Sequence, residues 1–148
     1  MIGNTAIDVH LQKAKNLDDG IAWFEANDKL VREAIIKLIQ LSQLKAKGVD
    51  SNERVIGYYS ALTELISGGR KKQGQPYTLE DTGDFYRSMF VIVLTDSILI
   101  DADYSKMQDQ EWWTIEILGL TPSNMELYVQ MVRQNYVRYA RKILGLNR

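Results

Sequence analysis

The triplet Asp81-Thr82-Gly83, inside the run PYTLEDTGDFYRSMFVIVL (76–94), has the residue types of the loop that carries the catalytic carboxylate of aspartic proteases. That chemistry needs two such loops facing each other, so that two carboxylates share one proton. A chain of 148 residues with one loop would have to dimerise to supply the second. Ile117-Leu118-Gly119 is faintly similar to a second motif of the retroviral enzymes. The surroundings point elsewhere. An active loop follows an apolar strand, whereas Pro76-Tyr77-Thr78-Leu79-Glu80 precedes Asp81 and sets a charge beside it. No glycine-rich hairpin offers a flap. The structural alternative makes Asp81 the N-cap of a short helix, accepting from the N–H of Gly83 or Asp84. Asp84 would reach back to the N–H of Asp81, and Phe85, Tyr86 and Met89 would pack inward. The five residues Asp81, Thr82, Gly83, Asp84 and Phe85 then form a structural joint, and no catalytic residue is assigned.

Other chemistry finds little material. His10 is the only histidine and cysteine is absent, so neither a Ser-His-Asp nor a Cys-His arrangement can be built. The lack of cysteine also excludes disulfides and thiolate metal sites and fits a reducing compartment. Asp101, Asp103, Asp109 and Glu111 could meet a hard cation, but they lack the twelve-residue calcium-loop pattern and read as a solvated edge. No metal or cofactor is expected. The stretch GGRKKQGQ lacks the Gly-Lys-Ser/Thr ending of a phosphate loop. Its Arg70, Lys71 and Lys72 could touch nucleic-acid phosphates without reading sequence. Aromatic residues are numerous, with Tyr58, Tyr59, Trp112, Trp113, Tyr128, Tyr136 and Tyr139 prominent. On a helix, adjacent Trp112 and Trp113 cannot both face one core, because neighbours point about 100° apart. Either one covers a groove or meets another subunit, or both are half-buried in a thin core.

The elements that must position these residues are unevenly legible. From Asp28, a plausible N-cap, Leu30, Val31, Ala34, Ile35, Leu38, Ile39 and Ser42 follow at helical spacing, and Gly48 is the stop; this predicts a helix over 28–46. Thr121 caps a second helix with Pro122 at its first position, and Gly145 ends it. Along it Met125, Tyr128, Val129, Val132, Tyr136, Ala140, Ile143 and Leu144 draw one apolar stripe. FVIVL and SILID predict a hairpin over 90–101, with VIVL reading as a strand buried on both faces. Residues 104–117 read as a helix centred on the Trp pair. VIGYYSALTELI is open between helix and strand, and 67–76 is an exposed loop. Weak helical patterning at 5–15 and 21–26 is interrupted by Asp18-Asp19-Gly20, so 1–27 reads as a loosely packed arm. The class is α+β, a helix-rich single domain with helices 28–46 and 122–144 packed on a small antiparallel sheet.

Net charge is −1, yet it is unevenly spread: +2 over 1–79, −7 over 80–124 and +4 over 125–148. Opposed segments could pair copies of the chain head to tail. The beginning MIGNTAIDVH has no basic region leading into an apolar run, so secretion by a signal peptide is not expected. No apolar run approaches the roughly 18 residues of a membrane span.

Several short motifs carry a resemblance. Ile56-Gly57-Tyr58-Tyr59-Ser60 with Thr63, Gly69-Arg70-Lys71-Lys72, Tyr77-Thr78-Leu79 and Asp81-Thr82-Gly83-Asp84-Phe85 resemble small structural proteins of tailed bacteriophages, including the crAss-like group. A Thr-Gly-x-(Leu/Phe)-x-x-Ser segment entering a hairpin is similar to the head–tail joining and tail-completion family. Thr82, Gly83, Phe85 and Ser88 fill those places, and Tyr104 matches the aromatic after the hairpin. The similarity spans residues 53–121, and the acidic-glycine ending after that aromatic is replaced by the Trp pair. The resemblance implies a non-enzymatic virion protein, made in the bacterial cytoplasm, that forms a ring at the neck or tail with other virion proteins. It further implies that Arg70, Lys71, Lys72, Trp112 and Trp113 contact neighbouring subunits, the basic loop being an extended arm or a lining of the DNA channel. The alternatives are a nucleic-acid-binding accessory protein and, third, a dimeric protease using Asp81.

Overall fold

Ile21–Ala26 (α1) and Asp28–Lys37 (α2) are the first elements of the computed structural model, which describes residues 21–94 and 97–146. The helical patterning at 5–15, the break at 18–20 and His10 lie outside the described residues. These fall into two compact units, one of 21–31 with 129–146 and a larger one within 32–128. The helix-rich α+β class with a small antiparallel sheet is as the sequence predicts.

The helix expected over 28–46 is continuous but changes form. After α2 the chain passes into a π segment, Leu38–Lys45, and Gly48 follows with φ +62°. Asp28 is not a free N-cap, because α1 runs almost directly into α2 and the carbonyl of Asn27 already accepts from Val31. The π turn holds more residues than the α turn, and this moves the buried face. Regular α spacing after Ile35 and Ile39 would bring 42 and 43 inward; here Gln43 and Leu44 are enclosed and Ser42 is only half-buried. Gln43 is fully enclosed yet satisfied. Its amide donates to the carbonyl of Gly119 (2.8 Å) and accepts from the N–H of Thr121 (3.1 Å) and from Asn124 Nδ2 (3.3 Å). Asn124 also donates to the Leu38 carbonyl at the start of the π segment.

Ser60 caps Ala61–Ile66 (α3), accepting from the N–H of Thr63 at 3.2 Å. VIGYYSALTELI is therefore both things: bridged extended chain at Val55 and Tyr58, then helix. Asp84–Ser88 (α4) leads into Phe90–Val93 (β1), which pairs antiparallel with Ile98–Asp101 (β2) in the register Phe90↔Asp101 to Val93↔Ile98. The hairpin is as expected, but its burial is not. Only Val91 of the VIVL run is enclosed, while Phe90, Ile92 and Leu94 are exposed, because the sheet has two strands and one covered face. No α-helix spans 104–117. The chain there makes successive turns and then a 3-10 turn, Ile115–Leu118.

Pro122–Leu144 (α5) begins and ends as predicted. Thr121 Oγ1 accepts from the N–H of Asn124, and the last carbonyls are closed by Gly145 N–H to Lys142 and Leu146 N–H to Arg141. Its stripe is only partly inward, since Met125 and Val129 are exposed while Tyr128 is buried. In the smaller unit Trp23 is buried with its ring edge-on to Phe24 and Tyr136.

Candidate binding groove at the Asp-Thr-Gly segment

The segment that looks catalytic is held in place by two tyrosine hydroxyls. Tyr59 Oη accepts from the N–H of Thr78 (3.1 Å) and lies 3.2 Å from its Oγ1, while Tyr86 Oη donates to the Thr78 carbonyl. Pinned from both sides, the chain takes Leu79 through the left-handed region, φ +58°, which costs an L-residue about 1–2 kcal/mol. Burial of Tyr86, with the negative charge of Glu80 nearby, pushes its phenol pKa well above the ordinary value.

Asp81 does not cap α4. The capping position is Gly83 at φ +82°, a conformation open to glycine, and the Asp81 carboxylate turns away to Lys71 Nζ at 2.9 Å. The hydrogen bond from Lys71 holds the Asp81 carboxyl below its usual pKa. A carboxylate bound to an ammonium stays ionised and holds no proton to share, the reverse of the protease arrangement. Asp84 does not reach back to Asp81 either. It accepts from Thr82 Oγ1 (2.6 Å) and pairs with Arg87 and Lys106; the Thr82 bond, then Arg87, lowers its pKa. Phe85 and Met89 are buried, as the sequence indicates.

The motif residues also clasp the hairpin. Ser88 Oγ donates to the Phe85 carbonyl (2.8 Å) and accepts from the N–H of Asp103 (2.9 Å), tying the helix before β1 to the chain leaving β2. Tyr104 then stacks on Trp113 with centroids 4.8 Å apart. Trp112 and Trp113, being on turns rather than a helix, are both half-buried and serve two neighbours. Trp113 meets Phe85 at 5.8 Å and Trp112 meets Tyr77 at 5.4 Å, and Tyr77 in turn meets Tyr59 at 5.0 Å. Six rings thus form one continuous chain, Tyr59–Tyr77–Trp112–Trp113–Phe85–Tyr86, with Tyr104 branching from Trp113.

Loop 67–76 is mostly exposed but is not an extended arm. It arches back through the N–H of Gly74 to the Tyr59 carbonyl and the N–H of Tyr59 to the Gln75 carbonyl, both at 2.9 Å. Each member of the basic triplet has an internal partner. Arg70 Nε donates to the Ser67 carbonyl, Lys72 pairs with Glu64, and Lys71 lies 5.8 Å from the Tyr59 ring centre as well as against Asp81.

Two adjoining hollows result. One of about 380 Å³ is lined by residues that include Asp81, Thr82, Asp84, Asp103 and Lys106. The other, about 260 Å³, has Tyr59, Tyr77, Trp112 and Lys71 in its wall. Leu79, Asp81 and Met107 belong to both, so they form one groove. Sequence reasoning missed Tyr77 as part of its aromatic wall. The signal was present in Gly57, where an added Cβ would lie 2.3 Å from the Tyr77 ring: a glycine bridged to an aromatic that covers it. The Asp101–Glu111 acids do not converge; Asp101 and Asp103 instead accept from the backbone N–H groups of Ala102 and Ser105. Among the described residues no group of three His, Cys, Asp or Glu could hold a metal, and no helix is long and apolar enough to cross a membrane. No protein-family model, curated protein or solved structure matches this chain.

Proposed function

We propose that this chain is a non-enzymatic structural subunit of a phage neck or tail, joining copies of itself into a ring at the head–tail junction alongside other virion proteins. The observation that carries the reading is a pair of unlike apolar surfaces in the larger unit. On the hairpin, Phe90, Ile92, Leu94, Ile98 and Leu99 are all exposed, on a sheet of two strands with unpaired outer edges. On α3, Leu62, Leu65 and Ile66 stand out, the last two 77% exposed. An exposed apolar hairpin with unpaired edges is a template for another chain unless something covers it. Two different patches suit a heterologous contact, which closes into a ring when the rotation permits. The opposed charges of 80–124 and 125–148 favour the same head-to-tail pairing. The roles of Gly83, Phe85, Ser88 and Tyr104 around the hairpin agree with the resemblance in the motif.

The test is mass in solution with negative-stain imaging. Ile92→Lys with Leu99→Lys, and separately Leu65→Asp with Ile66→Asp, should each abolish the ring and leave far-UV circular dichroism unchanged. Mixing the two variants should restore a dimer, since each keeps one intact patch. A wild-type chain that stays monomeric at high concentration sinks the reading. Binding of DNA by that monomer, lost steeply with salt, would support the nucleic-acid alternative instead.

A further inference from the structure

The groove beside the Asp-Thr-Gly segment has a composition that selects a class of ligand. Its aromatic wall is Tyr59, Tyr77 and Trp112. Its polar edge carries Asp81, Asp84 and Asp103 with Lys71 and Lys106, and Arg87, outside the lining, pairs with Asp84. Counting Arg87, the cluster on and beside this edge is neutral overall. Lys71 sits against Asp81 at 2.9 Å, and Arg87 and Lys106 both reach Asp84. A charged ligand therefore gains little net attraction, and at Asp81 or Asp84 it would have to break an existing pair. A neutral ligand with many donors and acceptors loses nothing. It can take the free lone pairs of the carboxylates and the remaining protons of the ammonium groups, which are strong partners for hydroxyls. The aromatic wall asks that one side of the ligand be apolar, so that C–H groups rest on ring faces. The hollows of 380 and 260 Å³ fall at or near the size of small-molecule sites, and they meet at Asp81.

We infer that this groove binds a neutral oligosaccharide, with a sugar ring on the Tyr77–Trp112 wall and its hydroxyls bridging Asp81 and Lys71. A pyranose has both required sides, an apolar C–H face and an equatorial rim of hydroxyls. Leu79, Tyr59 and Tyr86 keep the groove preformed, because the strained backbone at Leu79 is pinned through Thr78 before any ligand arrives. The site is independent of the ring reading, since neither apolar patch contributes a wall residue.

The experiment titrates the full chain with soluble neutral tetrasaccharides, namely cellotetraose, maltotetraose and chitotetraose, and follows tryptophan fluorescence. At least one should give a saturable change that persists from 50 to 500 mM salt, as a neutral ligand requires. Asp81→Asn should weaken it roughly tenfold or more, the loss of one hydrogen bond to a charged group. Because Asp81 is at the surface, that variant should keep its circular dichroism; Trp112→Phe, which keeps an aromatic wall, should retain weak binding. The inference is overturned if none of the three sugars binds at millimolar concentration, if binding vanishes with salt, or if Asp81→Asn binds as the wild type does.

Discussion

Gln43 and Tyr86 show how single polar atoms decide structure in a chain with no obvious site. Gln43 is enclosed completely and serves three partners at once, the carbonyl of Gly119, the N–H of Thr121 and the amide of Asn124. Gln43→Leu should fit by size but leave the Gly119 carbonyl and the Thr121 N–H unpaired, at a cost of about 2–4 kcal/mol. Urea unfolding should show the loss as a lower midpoint with an unchanged slope. Tyr86 predicts a pH effect. Burial favours the neutral phenol, so the folded pKa lies above the ordinary value of 10.0. The folded state then holds its proton where the unfolded chain releases it. This stability is complete below pH 10 and is lost as pH rises above it. Tyr86→Phe should cost about 1 kcal/mol at neutral pH, for the bond to Thr78, and should flatten the decline above pH 10. On the acid side the sign reverses. Asp81, Asp84 and Asp103 all titrate below their ordinary 3.8, so their contribution is present above that value and fades as pH falls through it.

The elements divide by how much of their cause is local. Thr121-Pro122 and Gly145 announce α5, and Gly48 ends the first long helix, because caps and stops act within a few residues. The hairpin at 90–101 was equally legible in its alternation of β-rich runs. Its burial was not, since covering both faces takes partners that a two-stranded sheet lacks. Trp112 and Trp113 misled for a similar reason. Apolar residues in a polar stretch suggest a helix, but here rings from 77, 85 and 104 hold the turns. The Asp-Thr-Gly joint was read with the right inward residues, Phe85 and Met89, and the wrong cap. Asp81 found Lys71, ten residues back, a pairing no local rule foresees. This correction is measurable. Gly83→Ala should cost about 1–2 kcal/mol in thermal unfolding, because alanine resists a φ of +82°. Asp81→Ala, which breaks a surface pair, should cost less than about 1 kcal/mol. Equal costs would restore Asp81 as the cap.

Across the whole molecule the tryptophans fall usefully. Trp23 belongs to the smaller unit and Trp112 and Trp113 to the larger. Among the described residues, nearly all of the enclosed apolar side chains, from Ile35 to Tyr128, belong to the larger unit. Fluorescence of a Trp23→Phe chain should therefore report a later urea transition than that of a Trp112→Phe, Trp113→Phe chain. Coincident transitions would show that the two units melt as one. The π segment has a consequence for how this chain can vary over evolution. Each of its hydrogen-bonded rings contains one residue more than an α ring, so Leu38–Lys45 accommodates surplus length inside an otherwise ordinary helix. Leu41, which is exposed there, is the residue most easily spared. Relatives one residue shorter at this point should have a plain α-helix, and should have lost the Gln43–Asn124 pair together with the extra residue. A gap in an alignment would then predict a change more than eighty positions away.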